Sequence, residues 1–188
     1  MKKSMLSQSA GELKKVRVLT LCALFAAMAV ALELVASIDI GPYISIGFSG
    51  LPNQLVDLLF GPVTGSLFAG ALDILKYIPK PTGAFFFGFT FDAMLAAFIY
   101  GVAYYKKPVS FWRILIAKGL VALIVNMFFA TLWLSMLYGK GFFILFPARA
   151  LKNVIMWPIE SVIFFVLAKG IERTGIFRGM LEEPKKDK

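Results

Sequence analysis

Arg149-Ala150-Leu151-Lys152-Asn153-Val154-Ile155-Met156-Trp157-Pro158-Ile159-Glu160-Ser161-Val162-Ile163-Phe164-Phe165-Val166-Leu167-Ala168-Lys169 opens with two cations three residues apart and continues almost entirely apolar. A helix rises ~1.5 Å per residue, so such a run reaches roughly 30 Å, the thickness of the hydrocarbon core of a bilayer. It reads as a membrane span with Arg149 and Lys152 at its rim. Basic residues beside a span usually mark the cytoplasmic side, but the charge count of the whole chain places this pair outside. Two cations at the outer lip of a membrane bundle point to a docking place for an anion.

The rest of the chain agrees with that class. Of 188 residues, 59% are hydrophobic and 16% charged, with a mean hydropathy of +0.79. Soluble domains carry about a quarter charged residues, so the composition is that of one polytopic membrane domain. The formal charge of +9 comes from short clusters beside apolar spans, not from a stripe along a soluble face. This argues for topology signals and contacts with anionic lipid, and against a nucleic-acid partner. Cys22 is the single cysteine, which excludes an intrachain disulfide and a thiolate metal site. With no histidine, the commonest general base and metal ligand is missing. No nucleotide loop or nucleophile elbow appears, so the chain reads as neither an enzyme nor a cofactor protein.

The expected architecture is an all-α integral membrane bundle of six transmembrane helices with both termini cytoplasmic. Residues 1–15 form a basic cytoplasmic N-terminal segment, 16–170 the transmembrane substrate-binding domain, and 171–188 a charged cytoplasmic tail. The spans are expected at about Val16–Ser37, Ile46–Phe60, Val63–Tyr77, Ala84–Tyr105, Trp112–Tyr138 and from Pro147 to about Lys169. The first is too long, and lacks a convincing cleavage site, for a signal peptide. The second and third are short and meet at Gly61-Pro62. With this arrangement, Lys76, Lys80, Lys140, Arg149 and Lys152 lie outside and the other Lys and Arg inside, fifteen against five.

Four constellations carry chemistry. Ala23, Ala27 and Ala31, four apart, form a flat strip suited to close helix approach in lipid, for internal packing or for docking a separate membrane subunit. Glu33, Asp57, Asp73, Asp92 and Glu160 are ionisable residues in or near spans, where such groups face a cavity, a partner or an interface. Asp73, near Lys76 and Tyr77, could accept hydrogen bonds from an amino-heterocycle or pair with Lys76. Outer aromatics that include Tyr43, Phe85, Phe87, Phe91, Trp133 and Tyr138 form an interfacial belt or line a slot for a flat ring. Arg149, Lys152 and Asn153 supply the anion anchor, since Arg offers a planar fork and Lys a point charge.

Several runs carry a resemblance. They are Phe60-Gly61-Pro62, Pro81-Thr82-Gly83-Ala84-Phe85-Phe86-Phe87-Gly88-Phe89-Thr90, Ile124-Val125-Asn126, Thr131-Leu132-Trp133-Leu134-Ser135-Met136-Leu137-Tyr138-Gly139-Lys140 and Pro147-Ala148-Arg149-Ala150-Leu151-Lys152-Asn153 with Pro158-Ile159-Glu160. The chain resembles the folate family of substrate-binding (S) components of energy-coupling factor (ECF) transporters from Leu21 to Leu167. The resemblance implies a six-helix domain in a bacterial plasma membrane that binds folate from outside. It also implies docking, through Ala23, Ala27 and Ala31, on a transmembrane coupling subunit that carries two cytoplasmic ATPases. Arg149 and Lys152 would then take the anionic glutamate tail of folate. Phe85, Phe87, Phe91, Trp133 and Tyr138 would take its rings, and Asp73 and Asn153 would pair with its polar edges. An S component for another vitamin and a free-standing ion-coupled carrier are the competing readings. A lipid-modifying enzyme and a structural scaffold fit the residues less well.

Overall fold

The computed structural model describes residues 4–40, 44–79 and 85–173. A short helix α1 (Met5–Glu12) precedes α2 (Val16–Val35), and strands β1 (Ser37–Ile40) and β2 (Ile44–Gly47) lead to α3 (Gly50–Tyr77). Helix α4 (Phe87–Tyr104) follows, then α5 (Phe111–Val121), a π-helical segment over Ala122–Phe129, α6 (Ala130–Tyr138) and α7 (Phe142–Arg173). Among the described residues, five helical stretches are long and apolar enough to cross a membrane. The chain is thus an α-helical protein of the integral membrane class.

One departure from the expected helices is the antiparallel pairing of β1 with β2, with Ser37 opposite Gly47 and Asp39 opposite Ser45. The alternation Ile38-Asp39-Ile40 and Ile44-Ser45-Ile46 around Gly41-Pro42 is a strand–turn–strand pattern, and it outweighs continuation of either helix. Span one therefore ends at Val35, and the next helix starts at Gly50 instead of Ile46. Tyr43 and the loop around Pro81 lie outside the described residues.

Helix α3 is broken where the two short segments were expected to meet. Gly61 has φ 84° and ψ −174°, a conformation open to a residue without Cβ, and Pro62 starts the next arm where its missing N–H costs nothing. The chain folds back there. Lys76 Nζ lies 2.9 Å from Ser49 Oγ, whereas an unbroken helix would separate those residues by roughly 40 Å. A Cβ on Gly65 would come within 3.3 Å of the Asp57 Cα, so the two arms touch backbone to backbone.

The bend is capped from outside its own helix by Ser9 of α1, which is fully buried. Its hydroxyl donates to Phe60 O (2.7 Å) and accepts from Val63 N (3.0 Å) and Thr64 N (3.2 Å), while Thr64 Oγ1 donates to Ser9 O (2.7 Å). A helix break leaves free carbonyls on one side and free N–H groups on the other, and one serine hydroxyl serves both. Gly101 of α4 presses on the same bend, where a Cβ would lie 2.4 Å from Pro62 Cα.

Around this end the bundle is densely packed. Leu55, Leu58, Tyr100, Tyr104, Ile114, Ala117, Val121, Val125, Phe164 and Ala168 form one core cluster, and Val18, Val56, Leu59 and Phe60 form another. Lys118 belongs to this interior and not among the loop cations: it is 2% exposed and bound to Glu160 Oε2 of α7 at 3.1 Å. Without it the count of basic residues becomes fourteen against five, and its sign is unchanged. A second aromatic cluster, around Trp133, lies toward the other end, beside Asp92.

Candidate functional site

Helix α7 turns one stripe inward: Leu145, Asn153, Ser161, Phe164 and Ala168 are buried, and Arg149, Lys152, Met156 and Glu160 are half-buried. These positions recur at intervals of three and four, the spacing of a single helix face. Phe143, Ile144, Leu151, Val154, Val162 and Val166 cover the other side and are exposed. Both cations of the opening sequence therefore project along the bundle wall and not into the lipid. Arg149 Nη2 donates to the carbonyl of Asn126 at 3.3 Å. Asn126 lies in the π-helical segment, whose wider turn loosens the regular carbonyl ladder and lets a side chain reach it. Lys152 lies within Coulombic reach of Arg149 and of Glu160.

Across from this stripe, α4 contributes Asp92, a carboxylate only 6% exposed. Its Oδ1 accepts from the indole Nε1 of Trp133 on α6 at 3.1 Å, and Arg149 lies within Coulombic reach. The Trp133 ring is held by Phe129, stacked at 6.1 Å and 21°, and by Phe86 at 5.6 Å. Phe86 also meets Phe89, and Phe129 meets Phe91. This makes a rigid aromatic wall next to a buried carboxylate and a guanidinium.

The expected residues are only partly brought together. Arg149, Lys152, Asn153 and Trp133 line the same end of the bundle. Asp73 accepts from Thr90 Oγ1 at 2.7 Å, tying the second arm of α3 to α4. Lys76 is engaged elsewhere: it donates to Ser49 O at 3.2 Å and lies 3.7 Å from Glu33 Oε2, which also receives the Ser49 hydroxyl. These contacts pin the end of α2 to both ends of the α3 hairpin. Phe87 is 74% exposed and Phe91 51%, on the side of α4 that also presents Phe98 and Val102. Phe85 packs edge-on against Tyr77 and Phe87. Tyr138 ends α6 half-buried, just before Gly139 turns the chain at φ 63°. Ala23, Ala27 and Ala31 are all exposed on α2.

Asp92, Phe86, Phe129 and the carbonyl of Asn126 join the site without having been singled out as binding residues. For Asp92 a signal existed, since it is an acidic residue inside an apolar span. The π-helical segment has no such signature, because Ala122–Phe129 reads as ordinary span sequence.

Apolar helices enclosing paired cations, a buried carboxylate and an aromatic wall at one end define a membrane-embedded protein that binds a small organic anion. Residues 17–168 match the family described as ECF transporter, substrate-specific component. The folate transporter FolT of Clostridium novyi (strain NT) is 35% identical over 164 residues, 87% of this chain and 95% of that protein. FolT of Leuconostoc mesenteroides is 37% identical over 149 residues, 75% of this chain and 80% of its own. A crystal structure of FolT bound with folic acid superposes with a TM-score of 0.77 at 28% identity, covering 83% of this chain and 95% of the other. The fold is also that of a biotin S component, with a TM-score of 0.62 at 19% identity over 83% of this chain and 93% of the other. The chain belongs to the substrate-specific components of ECF transporters.

Proposed function

We propose that this protein captures folate outside the cell and delivers it inward when docked on an ECF coupling subunit with its two cytoplasmic ATPases. The observation that carries the reading is the inward stripe of Arg149, Lys152 and Asn153 facing the Trp133–Asp92 pair. Folate has the matching chemistry: a glutamate tail with two carboxylates and a flat pterin. The cations take the tail, since Arg presents a fork to a carboxylate and Lys a compact charge. Trp133, with Phe85 and Tyr138 around the rim and Phe91 against Phe129, shields the rings, while Phe87 stands apart on the outer surface. Asn153 and Asp73 meet polar edges, and Lys76, held by Ser49 and Glu33, stands at the rim. The folate transporters among its relatives support the choice of vitamin.

In this reading the chain crosses a bacterial plasma membrane six times, because the two arms of α3 are separate passes. The contacts support an alternating order: Glu33 meets Ser49, Ser49 meets Lys76, Thr90 meets Asp73, Trp133 meets Asp92 and Arg149 meets Asn126. Both termini then fall at one end, and the excess of Lys and Arg makes that end cytoplasmic. Residues 1–15 and 171–188 flank the binding domain there. The exposed Ala23, Ala27 and Ala31 strip is the docking face for the coupling subunit.

Calorimetric titration of the purified protein with folic acid tests the proposal. Tight binding is expected in the wild type. Arg149→Ala and Lys152→Ala should each weaken it by about 1–3 kcal/mol, the cost of removing a charged hydrogen-bond partner. Unchanged affinity in both variants refutes the anchor.

A further inference from the structure

We infer that Asp92 determines specificity, with its carboxylate receiving the N–H donors of a ring-borne amino group on the ligand. Asp92 Oδ1 is engaged by the Trp133 indole at 3.1 Å, whereas Oδ2 is buried and has no hydrogen-bond partner among the described residues. A carboxylate offers about four acceptor positions, and a buried one left unmatched is destabilising. Asp73 differs: one of its oxygens receives Thr90 Oγ1, and the residue is only half-buried, so water can serve the rest.

The surroundings decide which donor fits Oδ2. Phe86 and Phe129 pack on the Trp133 ring whose indole holds Oδ1, so the carboxylate stands beside an aromatic cluster, where a planar aromatic ligand is favoured. Asp92 is fixed at one oxygen by the indole and can align its second oxygen with a flat ring edge. A 2-amino-4-oxo-pteridine carries adjacent N–H donors on such an edge, the exocyclic amine and the ring N3. The inference rests on the folate reading and deepens it: pterin recognition falls to Asp92, and the cations of α7 remain for the anionic tail. A site built to receive a donor rejects an analogue that lacks it far more strongly than an apolar slot does.

The test is a set of titrations on the full-length protein. Folic acid, its analogue lacking the 2-amino group, and p-aminobenzoylglutamate are each measured against wild type and Asp92→Asn. Asparagine keeps an oxygen for Trp133, so the wall should stay in place. Wild type should bind folic acid about 10- to 100-fold more tightly than the desamino analogue, the range for a charged hydrogen bond. Asp92→Asn should lose about that factor for folic acid, lose less for the desamino analogue, which keeps its N3–H, and change little for p-aminobenzoylglutamate. Equal losses for all three would mean that Asp92 merely holds Trp133, and the inference fails. Wild type binding both pteridines equally also overturns it, and that outcome does not depend on whether the variant folds. Wild type with no affinity for folic acid sinks the folate reading itself, and this inference with it.

Discussion

Replacing Ser9 with alanine should destabilise the whole bundle, although the residue lies in a short helix before the first span. Its hydroxyl is fully buried and makes three hydrogen bonds, to Phe60 O, Val63 N and Thr64 N, all at the break in α3. Alanine leaves one carbonyl and two N–H groups unmatched away from water. Each orphaned group costs ~1–3 kcal/mol, and local relaxation recovers part, so the net loss should be ~2–4 kcal/mol. For a chain of this length that corresponds to a midpoint roughly 5–15 °C lower in thermal unfolding. The assay is a melting curve in detergent, run beside Thr64→Val and the double variant. Thr64 Oγ1 donates to the Ser9 carbonyl, so both residues belong to one contact and the double loss should fall short of the sum. A Ser9→Ala midpoint within about 1 °C of wild type would refute the idea that α1 caps the bend.

Other expectations follow from single contacts. Gly101→Ala places a Cβ against the Pro62 backbone, where neither side can rotate away, so the folded yield from membranes should fall sharply. A normal yield and melting curve would contradict that packing. Lys118→Met alone should cost about 1–3 kcal/mol by stranding Glu160, and adding Glu160→Gln should restore most of it; a melt of the three variants decides. Ala27→Leu roughens an exposed strip without touching the site, so folate binding should persist while uptake with the coupling module fails. Retained uptake in that variant would remove the strip from the docking face.

Membrane class, the positions of the apolar passes and the break at Gly61-Pro62 could all be read from composition, run length and two backbone-special residues. Those properties are local: hydropathy, the fixed φ of proline and the freedom of glycine act within a few residues. The alternation around Gly41-Pro42 was equally local, and its strands were there to be found. Arg149 and Lys152 stood out because charge is rare and costly in a membrane, and Trp133 because an aromatic ring at the rim suits an interface or a slot for a flat ligand. Only the folded chain decided which neighbours these residues meet. It gave Lys76 to Glu33 and Ser49, sent Lys118 inward to Glu160, set Phe87 on the outer surface, and joined Asp92 to Trp133 across forty-one positions of sequence. Such pairings depend on helix rotation and on the register between helices. In a bundle whose spans are apolar on nearly every face, packing fixes that rotation, and no periodicity along the chain encodes it.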